Sequence, residues 1–242
     1  MLSHSKFELA LEFFQSNNGK ECNRYTIADI GRIYLDHLLS NGDFERAGKL
    51  CLTIFGQNKV LWEEEVYKFA KVHQLRSISA YIPRGEVTLD AHIYEMILYE
   101  FLKLDPNGFL QLIKEWSSSL YNVAAVINMV LGHFLIHDYH NQSVLLEALA
   151  ILYSHDGKYD KALAMYLKLK NKDVFQLIQK HQLHNSVYDM IEGLMDLDSD
   201  KTIQLLLDKD RISSEIIVEK LKNNPRFLYR VIQHFSYFLR RS

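Results

Sequence analysis

Three histidines near the middle of the chain have a spacing that could bind a metal ion. His133, His137 and His140 could converge on one side of a helix, with Asp138 beside them, and imidazole is a common zinc ligand. The His-Glu-x-x-His pattern of metalloproteases is absent, and polar residues of this kind also occur where a helix ends in a loop. We favour the helix end and keep zinc as the alternative.

Two further groups of polar residues could suggest catalysis. Glu63 to Glu65 could be paired carboxylates, but adjacent residues on a helix point in different directions, so we expect a solvated face. Ser117 to Ser119 lack the strand-to-helix elbow that positions a nucleophilic serine, and we expect them to connect two helices. Neither group supports an enzyme.

Two further motifs could suggest a phosphate-binding loop or a metal site, and neither is convincing. Gly157-Lys158-Tyr159 lacks the spaced glycine and the Ser or Thr of a phosphate-binding loop, which argues against nucleotide hydrolysis. His181 and His184 flank a predicted helix end, where a positive charge interacts favourably with the helix dipole. The sequence therefore predicts no enzyme and no catalytic, cofactor-binding or metal-binding residue.

Composition favours a folded helical protein. The 242 residues are 48% hydrophobic and 24% charged, with only 10 Gly and 3 Pro, so turns and flexible linkers are few. The net charge of −2 gives no broad electrostatic surface for nucleic acid, and we expect none to bind. Cys22 and Cys51 are too few for a disulfide framework, which favours a reducing, cytosolic compartment.

Neither the start nor the middle of the chain predicts a signal peptide or a membrane-spanning helix. The start, Met1 to Phe14, has charges scattered through its apolar residues and no cleavage pattern, which argues against a signal peptide. The most apolar run, Val123 to Ile136, is shorter than the roughly 20 residues of a spanning helix. We interpret it as a buried core helix.

Apolar residues recur at helical spacing along almost the whole chain, for example at Tyr94, Ile97, Leu98 and Phe101. Helix starts and stops agree with this pattern. The predicted starts are Thr26 with Asp29, Asp105-Pro106 and Asn224-Pro225; the predicted stops are Gly42, Gly56, Gly85 and Gly157. The sequence predicts a dozen or more helices joined by short turns.

One turn occurs twice. Asn41 to Ala47 and Asp156 to Ala162 share Gly, an aromatic residue and Ala at equivalent positions, as in tetratricopeptide-like hairpins. The two glycines lie 157 − 42 = 115 residues apart, which predicts three repeats of about 38 residues. We therefore predict an all-α fold, an α-solenoid of stacked antiparallel helical hairpins.

Longer segments resemble one family, the vacuolar protein sorting subunit forty-one, which belongs to the HOPS tethering complex and carries a clathrin heavy-chain repeat. The segments that carry the resemblance are Val60 to Phe69, Tyr81 to Gly85, Ile93 to Leu98, Ile113 to Trp116, Leu120 to Asn122, Lys172 to Ile178 and Leu194 to Asp198. They span most of Thr26 to Leu221. The family's amino-terminal β-propeller and carboxy-terminal RING-like domain are not matched, so we expect a fragment or a short isoform.

The resemblance implies a protein-interaction scaffold in vesicle-mediated transport and fusion. The implied location is cytoplasmic, peripheral on late endosomes, lysosomes or the vacuole. The implied partners are the other HOPS subunits, a second copy through the helical repeat, and the adaptor coats and small GTPases that contact full-length members of the family. Membrane contact is expected to be peripheral only.

The carboxy-terminal segment leaves two interpretations open. We divide the chain into a helical hairpin remnant at 1–25, a clathrin heavy-chain-repeat-like solenoid at 26–222 and a basic amphipathic helix at 223–242. We favour a solenoid helix whose covering neighbour has been removed, because its apolar residues cover a broad face, as a packed helix requires. The alternative is a peripheral membrane or coat module that binds through this helix.

Overall fold

The structure is a computed structural model. It describes Lys6, Leu9, Glu12 and residues 27–136, 142–207 and 214–239. Within these residues the helices are α1 Ile27–Ser40, α2 Phe44–Phe55, α3 Lys59–Lys71, α4 Leu75–Ser79, α5 Ala91–Leu104, α6 Pro106–Glu115, α7 Val123–Ile136, α8 Gln142–His155, α9 Tyr159–Lys168, α10 Asp173–His181, α11 His184–Leu197, α12 Ser199–Leu207, α13 Ser214–Leu221 and α14 Pro225–Leu239. The predicted remnant at 1–25 lies almost wholly outside the described residues.

The chain divides into two compact units, Met1–Met129 and Val130–Ser242. In the first unit each helix from α1 to α5 contacts the next one, and α2 also contacts α4. In the second unit α9 contacts α8, α10 and α11, and α11 contacts α12 and α13. Contacts with the next helix and the next but one are those of stacked helical hairpins, so the predicted all-α, solenoid-type packing is confirmed within each unit.

Aromatic side chains fill the core of the first unit. Trp62 is 1% exposed and meets Phe55 edge-on, with ring centroids 5.7 Å apart. Its indole Nε1 donates to the Gly56 carbonyl at 3.0 Å, so the buried ring keeps a hydrogen bond. Tyr94 is fully buried and its hydroxyl donates to the Pro83 carbonyl at 2.6 Å. The aromatic rings thus tie the inter-helix connections to the core.

The two copies of the predicted turn have the same geometry. Gly42 and Gly157 both adopt a left-handed backbone, with φ of 78° and 71°. In the first turn Asp43 N donates to the Leu38 carbonyl at 3.0 Å; in the second, Lys158 N donates to the Tyr153 carbonyl at 2.9 Å. This six-residue hydrogen bond closes the preceding helix. The prediction of one shared turn type is confirmed.

The predicted repeat length is wrong. Helices α3, α5 and α7 start at Lys59, Ala91 and Val123, which are 32 residues apart in both steps (91 − 59 and 123 − 91). Seven of the described helices lie between the turns at Gly42 and Gly157, an odd number. The two turns are therefore not separated by a whole number of two-helix repeats, which the 38-residue period required.

Two local predictions are also corrected. Gly85 does not end a helix, because α4 already ends at Ser79 and Gly85 lies between Arg84 and Thr88, which form an isolated antiparallel bridge. Helix α7 has the predicted bounds but is not fully buried, since Leu131 is 40% exposed. Within the described part of the chain, no helix has the length and apolarity that crossing a membrane requires.

Helix α14 is packed, as the favoured interpretation of the tail expected. It contacts α12 and α13, and its Phe227 and Val231 are 7% and 2% exposed. Both belong to the core cluster that also contains Ile217 and Leu221 of α13. Phe227 and Val231 of the tail helix are therefore packed within the second unit.

Candidate interaction surface

The possible metal site cannot be assembled from the described residues. His133 lies on α7 and is partly buried, whereas His137, Asp138 and His140 fall outside the described residues. Across the parts of the chain that are described, no group of three or more His, Cys, Asp or Glu side chains could hold a metal ion. The prediction about these histidines therefore stays a prediction.

The other pair of histidines is divided between two helices. His181 lies in the last turn of α10, as expected, and stacks on Tyr159 with ring centroids 4.3 Å apart. His184 instead opens α11, so it does not lie in the last turn of a helix. The two residues are separated because Gln182 adopts a left-handed backbone with φ of 53°.

The serine cluster lies between helices, as predicted. Ser117 and Ser119 hydroxyl oxygens are 2.8 Å apart in the connection between α6 and α7. Trp116, next to them, is 3% exposed and packs edge-on against Tyr94 at 5.6 Å. The segment therefore forms a packed connection between helices.

Polar side chains join α1 to α3 in the first unit. Arg32 Nη2 donates to Glu64 Oε2 at 2.8 Å. One turn further along each helix, Lys68 Nζ donates to Asp36 Oδ1 at 2.6 Å. In both pairs the partners are 32 residues apart in sequence, which is also the spacing between the starts of α1, α3, α5 and α7. These two rungs fix the register of one hairpin against the next.

The same arrangement continues from α3 to α5. Tyr67 Oη and His92 Nε2 are 2.5 Å apart, and the two rings stack with centroids at 6.1 Å. Glu63 Oε1 accepts a hydrogen bond from Asp90 N at 2.8 Å, and Lys59 pairs with the Asp90 carboxylate. The Lys59 hydrogen bond lowers the pKa of Asp90. Together with the α1–α3 rungs, these contacts form what we call the polar ladder.

The second unit has similar links between helices. Lys172 Nζ donates to Asp198 Oδ2 at 2.8 Å, and this hydrogen bond lowers the pKa of Asp198. Lys220 Nζ of α13 donates to Asp189 Oδ1 of α11 at 2.8 Å. Exposed ion pairs contribute about 0–1 kcal/mol each, so these contacts set the spacing of helices more than they add stability.

Glu65 corrects the expectation of a solvated acidic face. Glu63 and Glu64 serve the ladder, but Glu65 is only 1% exposed, and its Oε2 lies 3.1 Å from Lys68 Nζ. Its other carboxylate oxygen, Oε1, has no hydrogen-bond partner. Burial raises the pKa of Glu65, and the charges of Lys68 and Arg32 oppose this shift. A partly satisfied carboxylate therefore lies beneath the ladder.

Exposed apolar residues lie on the same side as the polar ladder. Ile33 is 52% exposed on α1 between Arg32 and Asp36, and Tyr67 is 43% exposed on α3. On α5, Tyr99 is 44% exposed two helical turns beyond His92, and Lys103 Nζ lies 4.1 Å from its ring centroid. We call this exposed side of α1, α3 and α5 the ladder face. Its apolar and aromatic side chains are surrounded by the hydrogen bonds and ion pairs of the polar ladder, a mixture that is also found in protein interfaces.

The sequence did not reveal the ladder face. Its contacts join residues 25–32 positions apart, which become neighbours only once the hairpins are stacked. The sequence signal that could have found it is the pairing of opposite charges at that separation, as in Arg32 with Glu64. Exposed residues such as Ile33 carry no signal of their own in a single sequence.

Comparisons with known proteins give one consistent result. The Vps41 TPR-like region family matches residues 29–241. The chain is 46% identical over 226 residues to the human vacuolar protein sorting-associated protein 41 homolog and 45% identical over 230 residues to the Danio rerio one. The Schizosaccharomyces pombe protein of that name is 29% identical over 219 residues. No solved structure matches the chain.

These matches cover nearly all of the chain but a small part of each relative. They include 93% of this chain and 26% of the human protein, and 95% of this chain and 27% of the Danio rerio protein. The chain thus spans about a quarter of the length of the curated relatives it matches. By the extent of the family match and the identity to the animal relatives, the chain belongs to the Vps41 TPR-like region family.

Proposed function

We propose that this chain is a protein-interaction scaffold in vacuolar protein sorting, where it holds other subunits of a membrane-tethering complex. The names of its relatives point to the sorting role. The observation that carries the scaffold role is the ladder face, on which Ile33, Tyr67 and Tyr99 stay exposed beside contacts that hold successive hairpins in register. Such a surface suits binding and needs no reacting group.

The mechanism is geometric. Arg32–Glu64 and Tyr67–His92 hold neighbouring hairpins at a set separation, so partner contacts on α1, α3 and α5 have a defined spacing. Stacked repeats contact only their neighbours, which lets strain spread over many small adjustments. The scaffold can therefore hold partners while tolerating displacement between two membranes.

The partners we propose are the other HOPS subunits, with a second copy of the chain as a further candidate. The proposed location is the cytoplasmic side of late endosomes, lysosomes or the vacuole, reached through these partners. For full-length members of the family, we also propose contacts with adaptor coats and small GTPases. The proposed solenoid covers residues 26–222, with 223–242 as its terminal helix.

Copurification tests the proposal. Each HOPS subunit is mixed with the purified chain and separated by size-exclusion chromatography, with an unrelated helical-repeat protein of similar length as control. Coelution of at least one subunit with this chain and not with the control is the expected result. Coelution with none of them, together with flotation of the chain alone on liposomes, would overturn the proposal and favour a peripheral membrane module.

A further inference from the structure

Helix α14 has one side in the core and one side in solvent. Phe227 and Val231 are buried against α12 and α13, whereas Tyr229 and Ile232 are 62% and 54% exposed. Arg226 is also exposed. Residues three, four and seven positions apart share a side of a helix, so the exposed side is centred on Arg226, Tyr229, Arg230 and Gln233. This group is the basic face of α14.

The basic face carries positive charge that its own helix does not balance. From Lys220 to the last residue the sequence contains no Asp or Glu. In the described part of the chain no ion pair involves Arg226 or Arg230, whereas Lys220 is paired with Asp189 at 2.8 Å. The acidic residues of α13, Glu215 and Glu219, are the nearest in sequence, and both are exposed. Among the described residues, these two cations one turn apart have no acidic partner, which makes them candidates for binding one.

From this geometry we propose that the basic face of α14 docks an acidic segment of a protein partner. Arg and Tyr are enriched where proteins meet, and Arg226 and Arg230 flank the exposed ring of Tyr229. The Tyr229 hydroxyl accepts a hydrogen bond from Gln233 Nε2 at 2.8 Å, which holds the ring in place. An acidic chain with an apolar residue between its carboxylates fits this surface.

The packing of α14 favours a protein over a membrane. A helix that lies on a bilayer inserts an apolar side. Phe227 and Val231, which would have to insert, instead belong to the core of the second unit. Of the exposed side chains described, only Tyr229 and Ile232 are large and apolar, and they stand among polar neighbours. Among the side chains described on α14, charge is therefore the main feature left for binding, and an acidic protein segment complements it.

Binding to poly-L-glutamate tests the charge complementarity directly. The full chain is titrated into fluorescently labelled poly-L-glutamate and binding is followed by anisotropy. We compare Arg226→Glu/Arg230→Glu with Lys168→Glu/Lys180→Glu, which makes the same charge change at exposed positions of α9 and α10. The first variant should bind about tenfold more weakly, because two attractions become repulsions, and the second should stay within about twofold of wild type. Circular dichroism checks that both remain folded.

Three results would overturn the inference. These are equal loss in both charge variants, no loss in the variant with Arg226→Glu and Arg230→Glu, or no binding to poly-L-glutamate but Arg226-dependent binding to vesicles containing phosphatidylserine. The inference rests on the proposed scaffold role, yet the two fail separately. Poly-L-glutamate binding involves no tether subunit. If the chain coelutes with HOPS subunits but does not bind poly-L-glutamate, the proposal of an acidic partner is overturned and the scaffold role is not.

Discussion

Gly48 on α2 lies against the carbonyl oxygen of Ser77 on α4, so closely that a β-carbon at position 48 would be 2.7 Å from that oxygen. The obstacle is backbone, which cannot rotate away as a side chain can. Gly48→Ala should therefore push α2 and α4 apart and destabilise the fold by about 1–3 kcal/mol. Urea unfolding followed by circular dichroism measures the change.

Gly132 is the matched control for this prediction. It also lies within a helix, α7, but a β-carbon there would meet no atom of the described residues within 4 Å. Gly132→Ala should stabilise the protein by up to about 1 kcal/mol, because Ala has the higher helix propensity. If both alanine variants have the stability of wild type, α2 and α4 do not approach each other as described.

Asp105 has two roles that a pair of variants can separate. Its Oδ1 accepts a hydrogen bond from Gly108 N at 3.0 Å at the start of α6, and its Oδ2 accepts one from Arg76 Nη2 at 3.1 Å. Asp105→Ala removes both and should cost about 1–2 kcal/mol. Asp105→Asn keeps a good cap without the charge and should cost less than about 1 kcal/mol. Equal losses in the two unfolding curves would show that the ion pair, not the cap, dominates.

Helix ends show how far sequence reasoning reached. The turns at Gly42 and Gly157 were predictable because glycine readily adopts positive φ. His73, Lys170 and Gln182 close helices in the same left-handed conformation, with φ of 52–54°, but their types give no such signal. Stacking of the following helix selects these conformations against local preference, so only the folded chain reveals them.

The left-handed residues give a further prediction. Lys170 has φ of 52° and an exposed side chain, and Lys170 N donates to the Leu167 carbonyl at 3.0 Å. Lys170→Gly should stabilise the protein by about 0.5–1 kcal/mol, because relief of backbone strain exceeds the entropy that glycine adds to the unfolded chain. Gly157→Ala, at φ of 71°, should destabilise it by about 1 kcal/mol. Thermal melts that shift in the same direction for both variants would contradict this account.

The ladder face could not be predicted from the sequence, because it depends on how the helices pack. Helix identities, the caps at Asp105 and the apolar core could be derived from periodicity and spacing. The burial of Glu65 could not be derived in this way, because it depends on how α3 stacks against its neighbours. The same holds for the exposure of Ile33 and Tyr99, which follows from which helices pair.

Glu65 should make stability depend on pH. Burial raises the pKa of its carboxyl, so over a range above the ordinary Glu pKa of about 4.3 the folded state binds more protons than the unfolded state. The stability that the protonated Glu65 contributes is then fully present below that ordinary value, and it is lost as the pH rises through the raised pKa of the folded state. Glu65→Gln removes the ionisation, so its stability relative to wild type should increase as the pH rises above about 4.3.

Urea unfolding across this pH range checks the Glu65 prediction, with Glu64→Gln as control. Glu64 lies on the same helix but is exposed and paired with Arg32 at 2.8 Å. A rise with pH in the Glu65→Gln difference alone is expected. A difference that stays flat, or that changes equally in Glu64→Gln, would mean that the buried carboxylate is not the cause.

The ladder face predicts how docking can be lost without unfolding. Ile33 and Tyr99 are 52% and 44% exposed, so Ile33→Glu/Tyr99→Glu should leave the core intact while placing charge in an apolar contact. Removing interface anchors of this kind typically costs 1–2 kcal/mol or more each, so coelution with the tether subunit that binds wild type should weaken about tenfold or more. Leu52→Glu changes an equally exposed apolar residue, 50% exposed on α2, away from the ladder face. Because Leu52 should contact no partner, its variant should coelute like wild type, and equal loss in both variants would place docking elsewhere.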